Sequence, residues 1–328
     1  MKRNIKLMCF ALVSLIIFLV ADVSNAFARD YPMKPIRMVD GFPPGGGTDF
    51  LSRTIGQKLT EAWGQPVIVD NRPGVSSNIG AEIAAKSTPD GYTLFMGCIT
   101  CLAPSMKLYP YLQYNLLKDL TPVSQVASGT YVVLVSSSLH VNSVRDLIAL
   151  AKSKPGQLNY ASSGVGSTAH LAGELFKLRA GVNILHVPYK GGAPAAASIA
   201  TGETQIFYGS VPASMPLINS GRAKAIAVTT SKRSRGLPDV PTVAESGLPG
   251  FDISVNYGIL APAGAPKSVI AELNEEIGRI LNNRAIIDRL AVFGLDAKAS
   301  SPQQFGKLIQ DEVAKWTQVV EKARIRIK

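Results

Sequence analysis

Histidine and cysteine are scarce in this chain, and each scarcity removes a class of chemistry. Three histidines occur, His140, His170 and His186, and their spacing fits no metal-ligand pattern. No nucleophile–base pair announces a hydrolase. Neither G-x-x-x-x-G-K-[ST] nor G-x-S-x-G is present. Of the three cysteines, Cys9 lies in an N-terminal apolar run, which leaves Cys98 and Cys101 as a single C-x-x-C. That pair reads as a structural disulfide, as two free thiols or as a redox couple, and the spacing leaves all three open. Basic residues are scattered; Lys232-Arg-Ser-Arg235 is a small run without interleaved aromatics, so no nucleic-acid partner is expected. Tandem repeats and low-complexity segments are absent too.

What is present suits an exported globular protein. The chain has 328 residues, 46% of them hydrophobic, enough for two domains with their own cores. Lys2, Arg3 and Lys6 precede an apolar run from Leu7 to Ala21, and small residues follow at Ser24-Asn25-Ala26 and Ala26-Phe27-Ala28. This is the pattern of a secretory leader, residues 1–28, cut after Ala26 or Ala28, and it implies a periplasmic location. The run is shorter than the ~20 residues of a membrane span, though an uncleaved anchor is the alternative. Loss of the leader lowers the formal charge from +11 to about +9, which favours anionic ligands and partners.

Two glycine-rich turns carry most of the information. They are Phe42-Pro-Pro-Gly-Gly-Gly-Thr-Asp49 and Ser162-Ser-Gly-Val-Gly-Ser-Thr-Ala-His170, each after a short apolar strand and before a helical pattern. A helix start has unpaired N–H groups and the positive dipole end, and glycine lets those groups line a concave nest for an anion. Strand-like and helix-like segments alternate along the chain, the pattern of parallel α/β layers. Thr48 or Asp49 is the expected cap of the first helix, Ser143 of a later one, and Ser301 with Gln304 forms a capping box for the last. Ser254–Leu260 reads as a strand returning to the first domain. The expected layout is therefore interleaved: residues 29–129 with 254–328 as domain 1, and 130–253 as domain 2. Hinges near 128–131 and 250–255 would let the two close like a jaw.

Eight segments in order resemble the extracytoplasmic receptors of the tripartite tricarboxylate transporter family, the Bug type. Besides the two turns, these include Asn71-Arg-Pro-Gly74 with Asn78-Ile-Gly-Ala81, Pro89-Asp-Gly-Tyr-Thr-Leu94, His186-Val-Pro-Tyr-Lys-Gly191, Ala225–Thr230, Leu237-Pro-Asp-Val-Pro-Thr242 and Leu260-Ala-Pro-Ala-Gly264. The resemblance implies a type II periplasmic-binding-protein fold, two α/β domains around a ligand cleft. It implies binding without catalysis and without a cofactor; the histidine spacing gives no metal site, and with no sign of obligate oligomerisation in the sequence a monomer is expected. It also implies a small carboxylate ligand, whether a di- or tricarboxylate, an acidic amino acid or an aromatic acid, delivered to membrane transporter subunits. A ligand-presenting sensor is the alternative role.

Carried over position by position, the resemblance puts Phe42, Pro44, Gly46, Gly47, Thr48 and Asp49 of the first turn at the ligand. Asp49 cannot accept from a carboxylate, so its expected role is capping the helix or holding a bridging water. Ser77 and Asn78 border the same pocket, and Ser163, Gly166, Ser167 and Thr168 face it from the second turn. Two departures from the family pattern touch the pocket wall. Gly97–Leu102 keeps only Thr100 of a hydroxyl-rich run and brings in Cys101, and Tyr208-Gly-Ser210 replaces an Asp-Asn. Both changes lean towards a ligand with a less polar or bulkier far end, such as an aromatic acid. A dinucleotide enzyme is the remaining alternative, since Gly164-Val-Gly-Ser-Thr-Ala169 fits G-x-G-x-x-G/A, but the ribose-binding acid expected about 20 residues on is missing.

Overall fold

The computed structural model describes residues 31–322; the expected leader, residues 1–28, lies outside them. By contact the chain divides into Met1–Lys34 and Pro35–Lys328, and every element named here belongs to the second unit.

The first elements follow the expected alternation: β1 (Ile36–Asp40), α1 (Gly47–Trp63), β2 (Val67–Asn71), α2 (Asn78–Ala85), β3 (Thr93–Cys98) and α3 (Ile99–Leu108). A long strand, β4 (Leu120–Ser136), leads to α4 (Val144–Ser153), β5 (Asn159–Ser162), α5 (Thr168–Ala180) and β6 (Leu185–Pro188). Next come α6 (Gly192–Ala200), β7 (Ile206–Ser210), α7 (Val211–Asn219) and β8 (Ala223–Val228). The chain returns through β9 (Ser254–Pro262), α8 (Lys267–Leu281), α9 (Arg284–Val292), β10 (Leu295–Ala297) and α10 (Pro302–Lys322).

The strands hydrogen-bond in the order β2-β1-β3-β9-β4-β7-β5-β6, with β8 and β10 also on β4. Pairing is parallel among β1, β2 and β3 and among β5, β6 and β7. Every pair involving β4 or β9 is antiparallel. The sheet is therefore mixed rather than parallel throughout. Leu120–Thr130 of β4 pairs with β9, and Tyr131–Ser136 pairs with β7 and β8.

Apolar strands covered by helices pack into cores on two stretches of the sheet among the described residues. Val39, Phe95, Ile99, Leu260, Phe305 and Ile309 pack together on one stretch of sheet. Val132, Leu134, Ile199, Phe207, Val211 and Leu217 pack on the other. Helix starts follow the sequence where a side-chain cap was legible. Ser143 Oγ accepts the Asp146 N–H at 3.1 Å, and Ser301 and Gln304 exchange bonds of 3.0 and 3.1 Å.

Candidate ligand-binding site

β1 ends at Asp40, and the chain turns through Gly41–Gly46 into α1. The expected caps Thr48 and Asp49 lie inside the helix; Gly46 is the cap, with extended backbone (φ −89°, ψ 179°) and no side-chain bond. The first intrahelical bond is Phe50 N–H to Gly46 O, 3.0 Å. The Gly47 and Thr48 N–H groups therefore precede the helical ladder and stay available to a ligand. Asp49 fastens the turn from behind. Its carboxylate accepts the Gly45 N–H (3.0 Å) and Asn71 Nδ2 (3.1 Å) and pairs with Arg53 (2.9 Å). Burial pushes its pKa up, but the Arg53, Gly45 and Asn71 contacts outweigh that and hold it below the usual range.

A cavity of about 20 Å³ opens in front of this turn. Phe42, Gly46, Gly47 and Thr48 form one side, with Cys98 beside them; Ser163, Gly192 and Phe207–Ser210 form another; Tyr131 and Tyr257 complete it. Four helices begin at this cavity: α1 at Gly46, α3 at Cys98, α6 at Gly192 and α7 at Ser210. No Asp, Glu, Lys, Arg or His lines it. The positive potential is supplied by helix starts rather than by a cationic side chain.

Two hydroxyls at the wall, Thr48 Oγ1 and Ser163 Oγ, are buried without a hydrogen-bond partner; so is the hydroxyl of Tyr208, whose ring packs against Tyr160 and Phe176. Thr48 lies close enough to Asp40 to favour its carboxylate slightly, but without the geometry of a bond. Ser163 stands in the same relation to the Tyr131 hydroxyl. Unpartnered buried polar atoms are uncommon and mark a place where something polar is received. Burial pushes the Tyr131 hydroxyl up to about 12 and those of Tyr208 and Tyr257 well above the ordinary phenol value, so all three stay protonated donors.

Of the residues singled out in the sequence, Phe42, Gly46, Gly47, Thr48, Ser163, Tyr208 and Ser210 are brought together at the cavity. The others are not. Pro44 is exposed on the turn, and Asp49 is engaged as described. Ser77 is buried with an unpartnered hydroxyl but lies outside the lining. The Asn78 amide donates to Val75 O and Ser105 Oγ and accepts from Tyr114 OH, so it braces α2. Thr100 Oγ1 accepts the Asn256 N–H at 3.0 Å and donates to Glu312, tying α3 to β9 and α10. Cys101 is joined to Cys98 in a disulfide, and it is Cys98 that reaches the cavity. Thr168 Oγ1 rests 3.5 Å from Cys101 Sγ.

The Gly166 N–H is taken by His170 Nδ1 at 3.1 Å, and Ser167 Oγ caps α5 by accepting the His170 N–H. Of the second turn only Ser163 lines the cavity; the Gly166 N–H and the Ser167 hydroxyl close the turn on itself, and Thr168 Oγ1 faces the disulfide. His170 stacks on His186 with centroids 4.1 Å apart; burial lowers both, to about 4 and about 3. Lys190 is exposed and lines nothing at the site. Tyr131, Gly192, Phe207 and Tyr257 were not anticipated, and Cys98 and Gly209 lay in runs expected at the pocket wall without being singled out. Cys98, Phe207, Gly209 and Tyr257 lie on β3, β7 and β9, Tyr131 lies on β4, and Gly192 opens α6, positions that converge only once the strand order is known. Among the described residues no cluster of metal-ligating side chains occurs, and no helix is long and apolar enough to cross a membrane.

The fold and the charge-free cavity at the helix starts define a solute-binding protein of the type II periplasmic class. Residues 51–325 match the tripartite tricarboxylate transporter family receptor model, and the chain belongs to that family. It is 36% identical over 319 residues to the protein BugT of Bordetella pertussis, covering 97% of this chain and 98% of that one. An R. palustris protein solved with adipate is 37% identical with a TM-score of 0.88, covering 90% of this chain and 99% of that one. MatC from Rhodopseudomonas palustris, solved with bound malate, is 28% identical with a TM-score of 0.82, covering 88% of this chain and 100% of that one. The family is one of periplasmic substrate-binding receptors, not of enzymes.

Proposed function

We propose that the protein captures a small carboxylate in this cavity and, exported by its leader, delivers it to membrane transporter subunits. The observation that carries the reading is the pair of unpartnered hydroxyls, Thr48 and Ser163, in the two glycine-rich turns, with no charged side chain at the cavity. A carboxylate satisfies those donors and the Gly47 and Thr48 N–H groups together, through charge-assisted bonds strengthened by the dry surroundings. Adipate and malate in the two related structures are ligands of this chemistry. The aromatic wall of Phe42, Tyr131, Tyr208 and Tyr257 suits a carboxylate with an apolar body, a medium-chain dicarboxylate or an aromatic acid.

A cavity of about 20 Å³ holds roughly one water molecule, so a ligand enters only when the walls separate. We assign the moving parts as residues 29–129 with 254–328, and 130–253, hinged where β4 and β9 run side by side. The test is a thermal-shift series on refolded, ligand-stripped protein with adipate, malate, citrate, glutamate, benzoate and phthalate. Ligand at about 100 times Kd contributes about 2.7 kcal/mol, a rise of several degrees in Tm. A rise confined to one carboxylate class identifies the far end of the ligand. No rise with any of the six overturns the reading.

A further inference from the structure

The ligand cavity leaves the basic run Lys232–Arg235 without a role, and that run borders a second, larger recess of about 550 Å³. The recess lies on the other face of the strands that carry the ligand cavity. Tyr131 of β4 lines the small cavity and its neighbour Thr130 lines the recess; Tyr257 and Ser254 of β9 divide in the same way. Alternate residues of a strand point to opposite faces, and these pairs are one and three residues apart. On one flank stands the loop after β8, with Lys232 and Arg235; on the other, Lys298 follows β10.

Lys232, Arg235 and Lys298 are exposed and make no ion pair among the described residues. Arg233, by contrast, is bound to Glu245 at 3.1 Å. Two carboxylates share the lining. Asp252 accepts the Ser231 N–H at 3.1 Å, and Asp296 stands on β10. We propose that this recess docks an extended acidic polypeptide segment of a partner protein. An exposed ion pair contributes about 0–1 kcal/mol, so a single small anion gains little from any one of these cations. A segment with carboxylates spaced along it meets all three at once, and the volume exceeds what one small acid fills. The three cations come from both sides of the β4–β9 crossing. On the closure reading above, their spacing changes with the ligand state, so an acidic segment distinguishes loaded from empty receptor.

The experiment is fluorescence anisotropy of the purified protein with a fluorescein-labelled peptide of alternating Asp and Ser, about twelve residues long, at low and at physiological salt. A Lys-and-Ser peptide is the control. The expected result is saturable binding of the acidic peptide only, weakened tenfold or more in Lys232→Gln/Arg235→Gln/Lys298→Gln and by added salt. The triple variant keeps the wild-type Tm and the wild-type thermal shift with carboxylates, which separates this site from the ligand cavity. Equal peptide binding by wild type and variant overturns the proposal, as does no binding at low salt. Displacement of the peptide by citrate or phosphate at equal charge concentration also overturns it, in favour of a small-anion site.

Discussion

Thr48, Ser163 and Tyr208 hold buried hydroxyls that the protein itself does not satisfy, which separates binding from stability residue by residue. Thr48→Val and Ser163→Ala each remove such a hydroxyl. The expected outcome is carboxylate affinity lower by roughly tenfold per change, with a ligand-free Tm unchanged or higher, because an unpaired buried group costs about 1–3 kcal/mol. Titration calorimetry and thermal melts check both halves. Gly47 and Gly46 separate in another way. A Cβ on Gly47 would stand 2.9 Å from Tyr257 OH inside the cavity, whereas on Gly46 its nearest neighbour is Pro43 O at 3.9 Å. Gly47→Ala is therefore expected to lose binding and Gly46→Ala largely to keep it.

Behind Thr48 and Phe42 lies Asp40, fully buried, accepting from Phe42 N–H and Ser52 Oγ. Burial pushes its pKa up from 3.8 to about 7 despite those bonds, and Asp49 adds to the rise. A carboxyl raised by folding favours the native state below its unfolded pKa, and that advantage is lost as pH climbs through the folded value. Stability from this group falls between about pH 4 and pH 7, by roughly 4 kcal/mol in all at 1.36 kcal/mol per unit. Denaturant melts from pH 4 to 8 are expected to slope down across that window, and Asp40→Asn to remove that part of the slope. An unchanged slope in the variant refutes the assignment. At this scale the first turn was legible in the sequence, because glycines and a hydroxyl at a helix start announce themselves. Asn78, Thr100 and Gly166 lie outside the cavity lining, and the hydrogen-bond partners that hold them, Tyr114, Asn256 and His170, are not visible from spacing.

Among the elements, α8, with Ile270, Leu273, Ile277 and Ile280, and α10, with Phe305, Ile309, Trp316 and Val320, carry a clear apolar period, and the short apolar strands are readable too. β4 is only partly readable: Val132–Val135 is an unbroken apolar run, but Leu120–Thr130 is not. That segment carries Pro122 and Gly129 and has two shifts of register against β9, so its apolar residues do not alternate cleanly. α3 was missed because Pro104 sits inside it, and the short α9 and β10 because they give too few residues for a period. β4 nevertheless connects the two halves of the sheet, and its midpoint is tightly packed. A Cβ on Gly129 would meet Leu295 Cδ2 and Tyr257 Cε2, each at 2.9 Å. Gly129→Val is expected to destabilise by about 1–3 kcal/mol through overpacking. Because Tyr257 is one of the displaced groups, ligand affinity should fall with it, which melts and titrations of the same variant measure together.

Across the molecule, the interleaved layout was suggested by a strand returning late in the chain, but the contacts between its two parts were not. Ser76 Oγ donates to Val165 O at 2.5 Å and Tyr109 OH donates to the same oxygen at 2.7 Å. Both donors belong to the segment expected in domain 1, and Val165 to the turn expected in domain 2. None of the three lines the cavity. If the walls part to admit ligand, these two bonds exist only in the closed state, and removing them shifts the closed–open balance without altering any ligand contact. Ser76→Ala/Tyr109→Phe, at about 1 kcal/mol per neutral bond, is expected to weaken carboxylate binding by roughly ten- to thirtyfold. The loss should appear as faster release with an unchanged association rate, since entry occurs in the open form. Stopped-flow measurement of the two rates decides the matter. A slower association rate with unchanged release would mean that these bonds organise an already accessible site, and the jaw-like closure would be wrong.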